Sequence, residues 1–260
     1  MERARFIVGF GTFATALTLR PHIAAAATYS AQTTYDLGNQ GALYVINFEA
    51  RLGNVRCWAA VLPRNSFHAR IVQGFDSQTS ATPFDAVARR YNAQVAINGG
   101  RFNGAFAPDG LLIVDGKTVG EKRSDWDGVL QIDRTGRAGV TTTPQLHEAQ
   151  YAVQGNVVLV RDGGAMGVTR EDRQPFRRTL IAQSGDTIVA LATTPVTLYN
   201  LAYMVVEYPE AFFLHQIDTA INLSGAATTG LYARTKDGAE VYVPTRWPNR
   251  DAIIFNAHVA

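Results

Sequence analysis

The chain has 260 residues, 47% of them hydrophobic and 18% charged, which supplies one substantial core or two small ones and excludes a disordered chain. Its net charge of +2 comes from 24 basic and 22 acidic residues mixed along the sequence, so no basic stripe marks a nucleic-acid partner. A single cysteine, Cys57, excludes an intramolecular disulfide, and the neighbouring Val55, Trp58, Ala59 and Ala60 place it in a strand where it packs.

Met1 to Arg5 is charged, Phe6 to Leu19 is apolar and Ala24 to Ala27 is small, the three parts of a secretory signal. A leader is expected over residues 1–27, with the mature domain over 28–260 and a secreted or periplasmic location. The apolar run falls short of the roughly 18 to 20 residues that cross a bilayer, so no stable membrane span is expected once the leader is removed. Secretion without disulfides points to a bacterial envelope or exterior.

After the leader, Ala42 to Ala50, Val55 to Leu62 and Phe67 to Gln73 read as strands of an opening antiparallel meander, with turns at Leu52-Gly-Asn54 and Pro63-Arg-Asn65. Thr82-Pro-Phe-Asp85 reads as an N-cap followed by proline at the first helical position, with Val87, Ala88 and Tyr91 as the apolar stripe of a helix. That helix feeds a strand from Gln94 to Asn98. Hairpins follow at Asp115-Gly-Lys117, Arg134-Thr-Gly136 and Ser184-Gly-Asp186. Leu198, Leu201, Ala202 and Val205 recur at helical spacing, and strands are expected at Glu240 to Val243 and Ala252 to Asn256. Many strands with two helices predict an α+β single domain, with a mixed, largely antiparallel β-sheet core and a few packed helices.

Four segments carry the chemistry. Asp218 to Tyr232 runs an apolar strand into a loop of small and hydroxyl residues, where backbone N–H groups stay open to a polar or anionic ligand. Ala96 to Phe102, Tyr151 to Gly155 and Phe176 to Ala182 each put a polar or charged group at or beside the end of an apolar strand. Arg178 and Arg177 are candidate anion clamps, because a guanidinium presents parallel donors that match two oxygens of an anion. At most one of two adjacent residues faces a site; a solvent-facing or cross-strand-paired arginine is the alternative. Arg101 is a second clamp or a solvated loop residue. Asn98, Gln154 and Asn222 either bind polar groups of a ligand or cap loops. Of Trp58, Trp126 and Trp247, which are either ligand contacts or partly buried core, Trp126, flanked by Asp125 and Asp127, is the one best placed for a ligand. The histidines at 68, 147, 215 and 258 lack zinc spacing. The cofactor is left open, a divalent cation such as calcium included, though no EF-hand-like pattern supports one.

Together and in this order, the four segments resemble the phosphodiester glycosidase family. Asn98-Gly-Gly-Arg-Phe102 resembles its Asn-Gly-Gly-aromatic-Phe block, and Val153-Gln-Gly-Asn-Val-Val-Leu-Val-Arg-Asp-Gly163 its Gln-Gly-Pro-x-Leu-Val-x-Asp-Gly block. Arg178-Thr-Leu-Ile-Ala182 is similar to Arg-Thr-Ala-Ile-Gly, and Asn222-Leu-Ser-Gly-Ala-Ala-Thr228 to Asn-Leu-Asp-Gly-Gly-x-Ser. The resemblance implies an exported hydrolase cleaving a sugar 1-phosphodiester or related linkage in envelope or extracellular glycans. Asn98, Arg101, Gln154, Arg178, Asn222 and Thr228 would bind the carbohydrate or sugar-phosphate, and Asp162 and Ser224 would stand at the reacting centre. Ser224 replaces the family's aspartate, and a hydroxyl cannot supply a carboxylate's charge near neutral pH. The missing carboxylate is sought at Asp162 first, then at Asp109, Asp125, Asp127 or Asp218. A catalytically inactive or altered relative that binds glycan is the alternative, and a nucleophilic Ser224 would require an activating base.

Overall fold

The computed structural model of the protein describes residues 28–50, 53–73, 82–161 and 163–258. The expected leader, Leu52 and Asp162 lie outside the described residues. The chain enters with β1 (Thr28–Gly38), β2 (Gly41–Ala50), β3 (Gly53–Pro63) and β4 (Phe67–Gln73), then α1 (Phe84–Arg90) and β5 (Val95–Asn98). Next come β6 (Leu112–Val114), β7 (Lys117–Gly120), β8 (Val129–Ile132), β9 (Ala138–Thr141), β10 (Tyr151–Gln154) and β11 (Val157–Arg161). β12 (Ala165–Met166), β13 (Thr179–Ser184) and β14 (Thr187–Thr193) lead into α2 (Leu198–Glu207), followed by β15 (Thr219–Asn222), β16 (Leu231–Arg234), β17 (Glu240–Val243) and β18 (Asp251–Ala257).

These strands build three sheets, in the orders β1-β2-β3-β14-β13-β15-β11-β12, β7-β6-β10-β8-β9 and β17-β16-β5-β18-β4. Every strand pair among the described residues is antiparallel. The expected α+β class with a mixed sheet is therefore corrected to mainly β. The two α-helices have seven and ten residues, too few to form a layer of their own. α1 is short because Pro83, not Thr82, stands at its N-cap and offers no side-chain acceptor, and Asn92 just beyond it turns to φ 51°. α2 starts as its residues dictate: Thr197 accepts a hydrogen bond from the Asn200 N–H at 3.1 Å. Among the described residues no helix is long and apolar enough to cross a membrane.

One core is shared by all three sheets. Leu43, Leu62, Ile181 and Ile221 from the largest sheet meet Leu112, Leu130 and Val153 from the second and Ile71, Ile97, Leu231 and Ile253 from the third. The opposite face of the largest sheet is covered by α2 and the 209–212 turn through Leu201, Met204, Val205 and Phe212. α1 covers the outer face of the third sheet through Phe84, Val87 and Ala88. Strands buried on both faces read as apolar runs rather than alternations, as in Ile188 to Ala192. Cys57 lies buried under α2, where loss of water pushes its thiol far up and leaves it unreactive.

The opening meander stops at two of its three expected strands. β2 pairs β3, but β3's other edge takes β14 while β4 crosses to the third sheet and pairs β18. Phe67, Ala69 and Ile71 on β4 fill the shared core from the sheet facing Leu43 and Leu62, so the same alternation is satisfied on the other side of the core. The Asp115-Gly116 hairpin forms with φ 50° and 73° at its two central residues, the backbone of a type I′ turn.

Candidate active site

The site lies where strands of the first and third sheets end side by side. Leu180 pairs with Asn222 as the last pair of β13 and β15, and Arg178 and Ser224 lie just beyond it, both on the cavity. The Leu223 N–H donates to Thr179 O at 2.9 Å in that register; beyond it the Ser224 N–H turns to Gly99 O at 3.2 Å and the Ala226 N–H donates to Arg177 O at 2.8 Å, one residue out of step. Gly225 permits the approach: a Cβ there would fall 3.0 Å from Arg177 O and 3.8 Å from the Arg178 side chain. From the third sheet, Asn98 joins this edge. Its Oδ1 accepts from Thr179 Oγ1 at 2.5 Å and from the Gly230 N–H at 3.0 Å, while its Nδ2 donates to Ser224 O at 2.7 Å.

A cavity of about 600 Å3 opens over this junction, and Arg101, Arg178, Asn222, Ser224 and Thr228 all line it. Asn98 and Gln154 stand behind it. Gln154 accepts from the Leu111 and Arg123 N–H groups at 3.0 and 2.9 Å and donates to Arg123 O and Trp126 O at 2.8 and 2.6 Å. Two acceptor and two donor positions are thus filled by the 111–126 segment, and both amides hold the wall rather than the ligand. Trp126 is also absent from the lining: it packs beneath the guanidinium groups of Arg123 and Arg101, 4.8 and 5.9 Å from the ring centroid. The tryptophan in the cavity is Trp247, joined by Phe102 and Phe176.

Among the described residues Asp172 is the carboxylate of the cavity wall, a residue not singled out from the sequence. Its Oδ2 accepts from Arg178 Nη2 at 3.1 Å and from the Leu198 N–H at 3.2 Å, and its Oδ1 is buried without a partner among the described residues. Asp162 lies outside the described residues, and the other four named carboxylates are engaged elsewhere. Asp109 and Asp125 pair with Arg123 at 3.1 and 2.9 Å, Asp127 pairs with Arg161 at 3.2 Å, and Asp218 accepts from the Gly185 N–H at 2.7 Å. Asp172 lies in an irregular stretch between β12 and β13, where apolar periodicity is silent. The available signal was the two-residue spacing of Asp172, Gln174, Phe176 and Arg178, all of which line the cavity.

Arg178 is 8% exposed. Its Nε donates to Val196 O at 3.2 Å and its Nη2 to Gln174 O at 2.9 Å besides the bond to Asp172, and its Nη1 makes no hydrogen bond among the described residues. Burial weakens the guanidinium's hold on its proton and Asp172 opposes this, yet arginine stays charged at any pH a protein survives. Arg177 turns away, donating to Pro244 O at 2.9 Å. Arg101 is half-exposed and lies 3.6 Å from Asp109.

Ser224 and Thr228 share one proton path. Thr228 Oγ1 donates to Gly225 O at 2.7 Å, so in the 2.8 Å contact between the two hydroxyls Ser224 is the donor. Its proton points at another hydroxyl, and among the described residues no histidine or carboxylate bonds to its oxygen to activate it. Asn222 donates from Nδ2 to Asn156 Oδ1 and Leu223 O, both at 2.7 Å, and its Oδ1 is buried without a partner among the described residues. No group of three or more His, Cys, Asp or Glu among the described residues stands close enough to hold a metal ion.

Ala226 has φ 57°, a left-handed conformation that costs a residue with a Cβ on the order of 1 kcal/mol. Ala226→Gly is expected to raise the unfolding free energy in urea by roughly 0.5–1 kcal/mol, the relieved strain outweighing the added freedom of the unfolded chain; a loss of stability would show that the loop is unstrained.

With this geometry in place, comparison with known proteins is direct. The structure is similar to the zebrafish N-acetylglucosamine-1-phosphodiester alpha-N-acetylglucosaminidase catalytic domain auto-inhibited by pro-peptide, with a TM-score of 0.61 and 15% identity over 90% of this chain and 88% of that one. It also resembles a hypothetical protein from Synechocystis, with a TM-score of 0.53 and 13% identity over 84% of this chain and 62% of that one. No curated protein matches the sequence. The phosphodiester glycosidase family model matches residues 91–255, a span that contains Asn98, Arg101, Gln154, Asp172, Arg178, Asn222, Ser224 and Thr228, and the chain belongs to that family.

Proposed function

We propose that the protein is an exported, secreted or periplasmic hydrolase that cleaves a sugar 1-phosphodiester in envelope or extracellular glycans, with its mature domain over residues 28–260. The observation that carries the reading is that Asp172 and Asn222, each with a buried oxygen that lacks a partner among the described residues, line one cavity with the buried Arg178. An unsatisfied buried acceptor costs roughly 1–3 kcal/mol, which a ligand rich in hydroxyl donors relieves, while the guanidinium matches an anion. A sugar bearing a phosphate offers both.

The chemistry fits a single carboxylate. Ordinary glycoside hydrolysis uses one carboxyl group to protonate the leaving oxygen and another as base or nucleophile. A phosphate monoester leaves the anomeric carbon without strong acid help, so only the second role remains. Asp172 takes a proton from water as the water oxygen bonds to the anomeric carbon. The bond from that carbon to the phosphate oxygen breaks, and the phosphate departs with the electron pair toward Arg178 Nη1 and Arg101. Asn222 and Thr228 orient the sugar, and Asn98 and Gln154 hold the walls.

The test is release of reducing sugar from a panel of synthetic sugar 1-phosphodiesters by the mature protein. Turnover with at least one sugar is expected, reduced about 100-fold or more in Arg178→Ala, in line with loss of an oriented charge in a closed site. The second reading, a glycan-binding relative without chemistry, is favoured by Ser224, whose hydroxyl is spent on Thr228. No turnover in the wild type together with turnover in Ser224→Asp would establish that reading instead.

A further inference from the structure

We infer that the protein has a second ligand site, on the reverse side of the extended segment that carries Asp172. It takes a small zwitterion with an apolar body, as an α-amino acid with a branched aliphatic side chain provides, and its occupancy orders that segment. The site is separate from the main cavity, and its existence does not depend on the hydrolase reading above.

Residues 171–176 alternate between two cavities. Asp172, Gln174 and Phe176 line the main one, while Glu171, Arg173 and Pro175 line another of about 440 Å3, the period of two that an extended chain imposes. The rest of the second cavity is Val55, Pro195, Val196 and the start of α2 at Thr197 and Asn200. No residue lines both. The segment is thus a partition one strand thick, and a ligand behind it touches the neighbours of Asp172 without entering the reacting centre.

The even-numbered residues fasten this partition. Asp172 Oδ2 accepts from the Leu198 N–H at 3.2 Å, Gln174 O accepts from Arg178 Nη2 at 2.9 Å, and Phe176 and Val196 exchange N–H···O bonds at 3.2 and 2.9 Å. The odd-numbered residues have no such anchor. The Arg173 guanidinium makes no hydrogen bond or ion pair among the described residues, and Glu171 Oε1 accepts only from the Arg173 N–H, at 3.1 Å. Arg173 itself stands at φ 52°, a left-handed conformation unfavourable for a residue with a Cβ. A stretch with so few bonds gains order from a ligand that grips both charged side chains.

Charge complementarity decides the occupant. Val55 and Val196 are buried and form an apolar floor with Pro175 and Pro195, suited to an aliphatic group. The rim carries both signs: Arg173 presents paired donors for a carboxylate, and Glu171 presents acceptor oxygens for an ammonium. The side-chain amide of Asn200 makes no hydrogen bond among the described residues and is open to either group. A plain carboxylic acid would meet Glu171 as a like charge, and a plain amine would meet Arg173 in the same way; a zwitterion answers both. The volume lies toward the lower end of the roughly 300–1,000 Å3 of small-molecule sites, which suits a free amino acid.

The experiment titrates leucine, isocaproate and isoamylamine into the wild type and into Arg173→Ala by calorimetry, and follows amide hydrogen exchange with and without leucine. The two analogues are leucine without its ammonium and without its carboxylate. Leucine is expected to bind the wild type with a Kd of roughly 1 mM or below. Each analogue is expected to bind about 10-fold or more weakly, and Arg173→Ala to weaken leucine by about 10- to 100-fold, the scale of one charged hydrogen bond. Leucine should also slow exchange in residues 171–176. No saturable heat with leucine, an analogue that binds as tightly as leucine, or protection confined to other segments overturns the proposal. Binding and exchange are read without turnover, so a failure of the hydrolase reading and a failure of this site are told apart.

Discussion

Replacing Asp172 by asparagine is expected to lower kcat for a sugar 1-phosphodiester by roughly 100- to 10,000-fold, the span associated with loss of a general base, without raising KM. The amide keeps the carboxylate's shape and can still accept from Arg178 and from the Leu198 N–H, which now meet at Asp172 Oδ2. What it removes is basicity and charge. Arg178 loses its anionic neighbour, so its attraction for the phosphate rises, and a fall in kcat at constant or lower KM separates chemistry from binding. The variant should lose only about 1–3 kcal/mol of stability, because a charged hydrogen bond becomes a neutral one, and urea unfolding measured alongside accounts for that loss. A variant that keeps wild-type kcat would remove Asp172 from the mechanism.

The second large effect concerns a carboxyl group the chemistry does not use. Asp251 is buried behind the Asn98–Arg101 loop, 3% exposed, and its Oδ1 has no partner among the described residues. It lies so close that a Cβ on Gly99 would fall 2.1 Å from that oxygen. Burial pushes its pKa from 3.8 up to about 7, against the opposing pull of Arg250 and the Gly100 N–H. Below the unfolded value both states hold the proton and the group contributes nothing to pH dependence. As pH rises from about 4 to about 7 the unfolded chain ionises while the folded one does not, and stability falls; above about 7 the loss is complete, on the order of 4 kcal/mol. Asp251→Asn cannot ionise. The stability of this variant minus that of the wild type, from urea unfolding at several pH values, is expected to grow through the pH 4–7 window and then level. A difference independent of pH would mean that Asp251 ionises normally in the folded protein.

Local features were legible in the residues. Asp115-Gly116 dictated its turn because few other pairs tolerate two positive φ angles, and Thr197 ahead of an apolar stripe marked the start of α2. The strand-end motifs led to Arg101, Arg178, Asn222, Ser224 and Thr228, which line one cavity. Pairing across sheets was not legible. Alternation in Phe67 to Gln73 states which residues face a core but not from which side, so the crossing of β4 to the third sheet left no trace in its own sequence. The largely antiparallel core was legible, but the α+β label gave the helices too much weight, because helical spacing reveals that a helix exists, not that seven and ten residues are too few to form a layer.

Asn98 and Gln154 illustrate a different limit. An amide beside glycine at a strand end has the same composition whether it faces a ligand or ties backbone together, and here the bonds to Ser224 O, Gly230 N, Leu111 N and Arg123 N decide the matter. Asp172 was missed, and Trp247 was ranked below Trp126, because both stand in irregular segments where no apolar period points inward. Trp126 drew attention through its acidic neighbours, but Arg123, which pairs with Asp125, also covers its ring, and Arg101 lies over it as well.

The central claim, a sugar-phosphate site at the junction of two sheets, is tested most directly by a crystal structure of Asp172→Asn with a non-hydrolysable sugar 1-phosphonate ester. The expected result is the phosphonate against Arg178, with sugar hydroxyls donating to Asn222 Oδ1. A ligand bound away from the cavity, or bound there with its phosphonate remote from Arg178, would contradict the account.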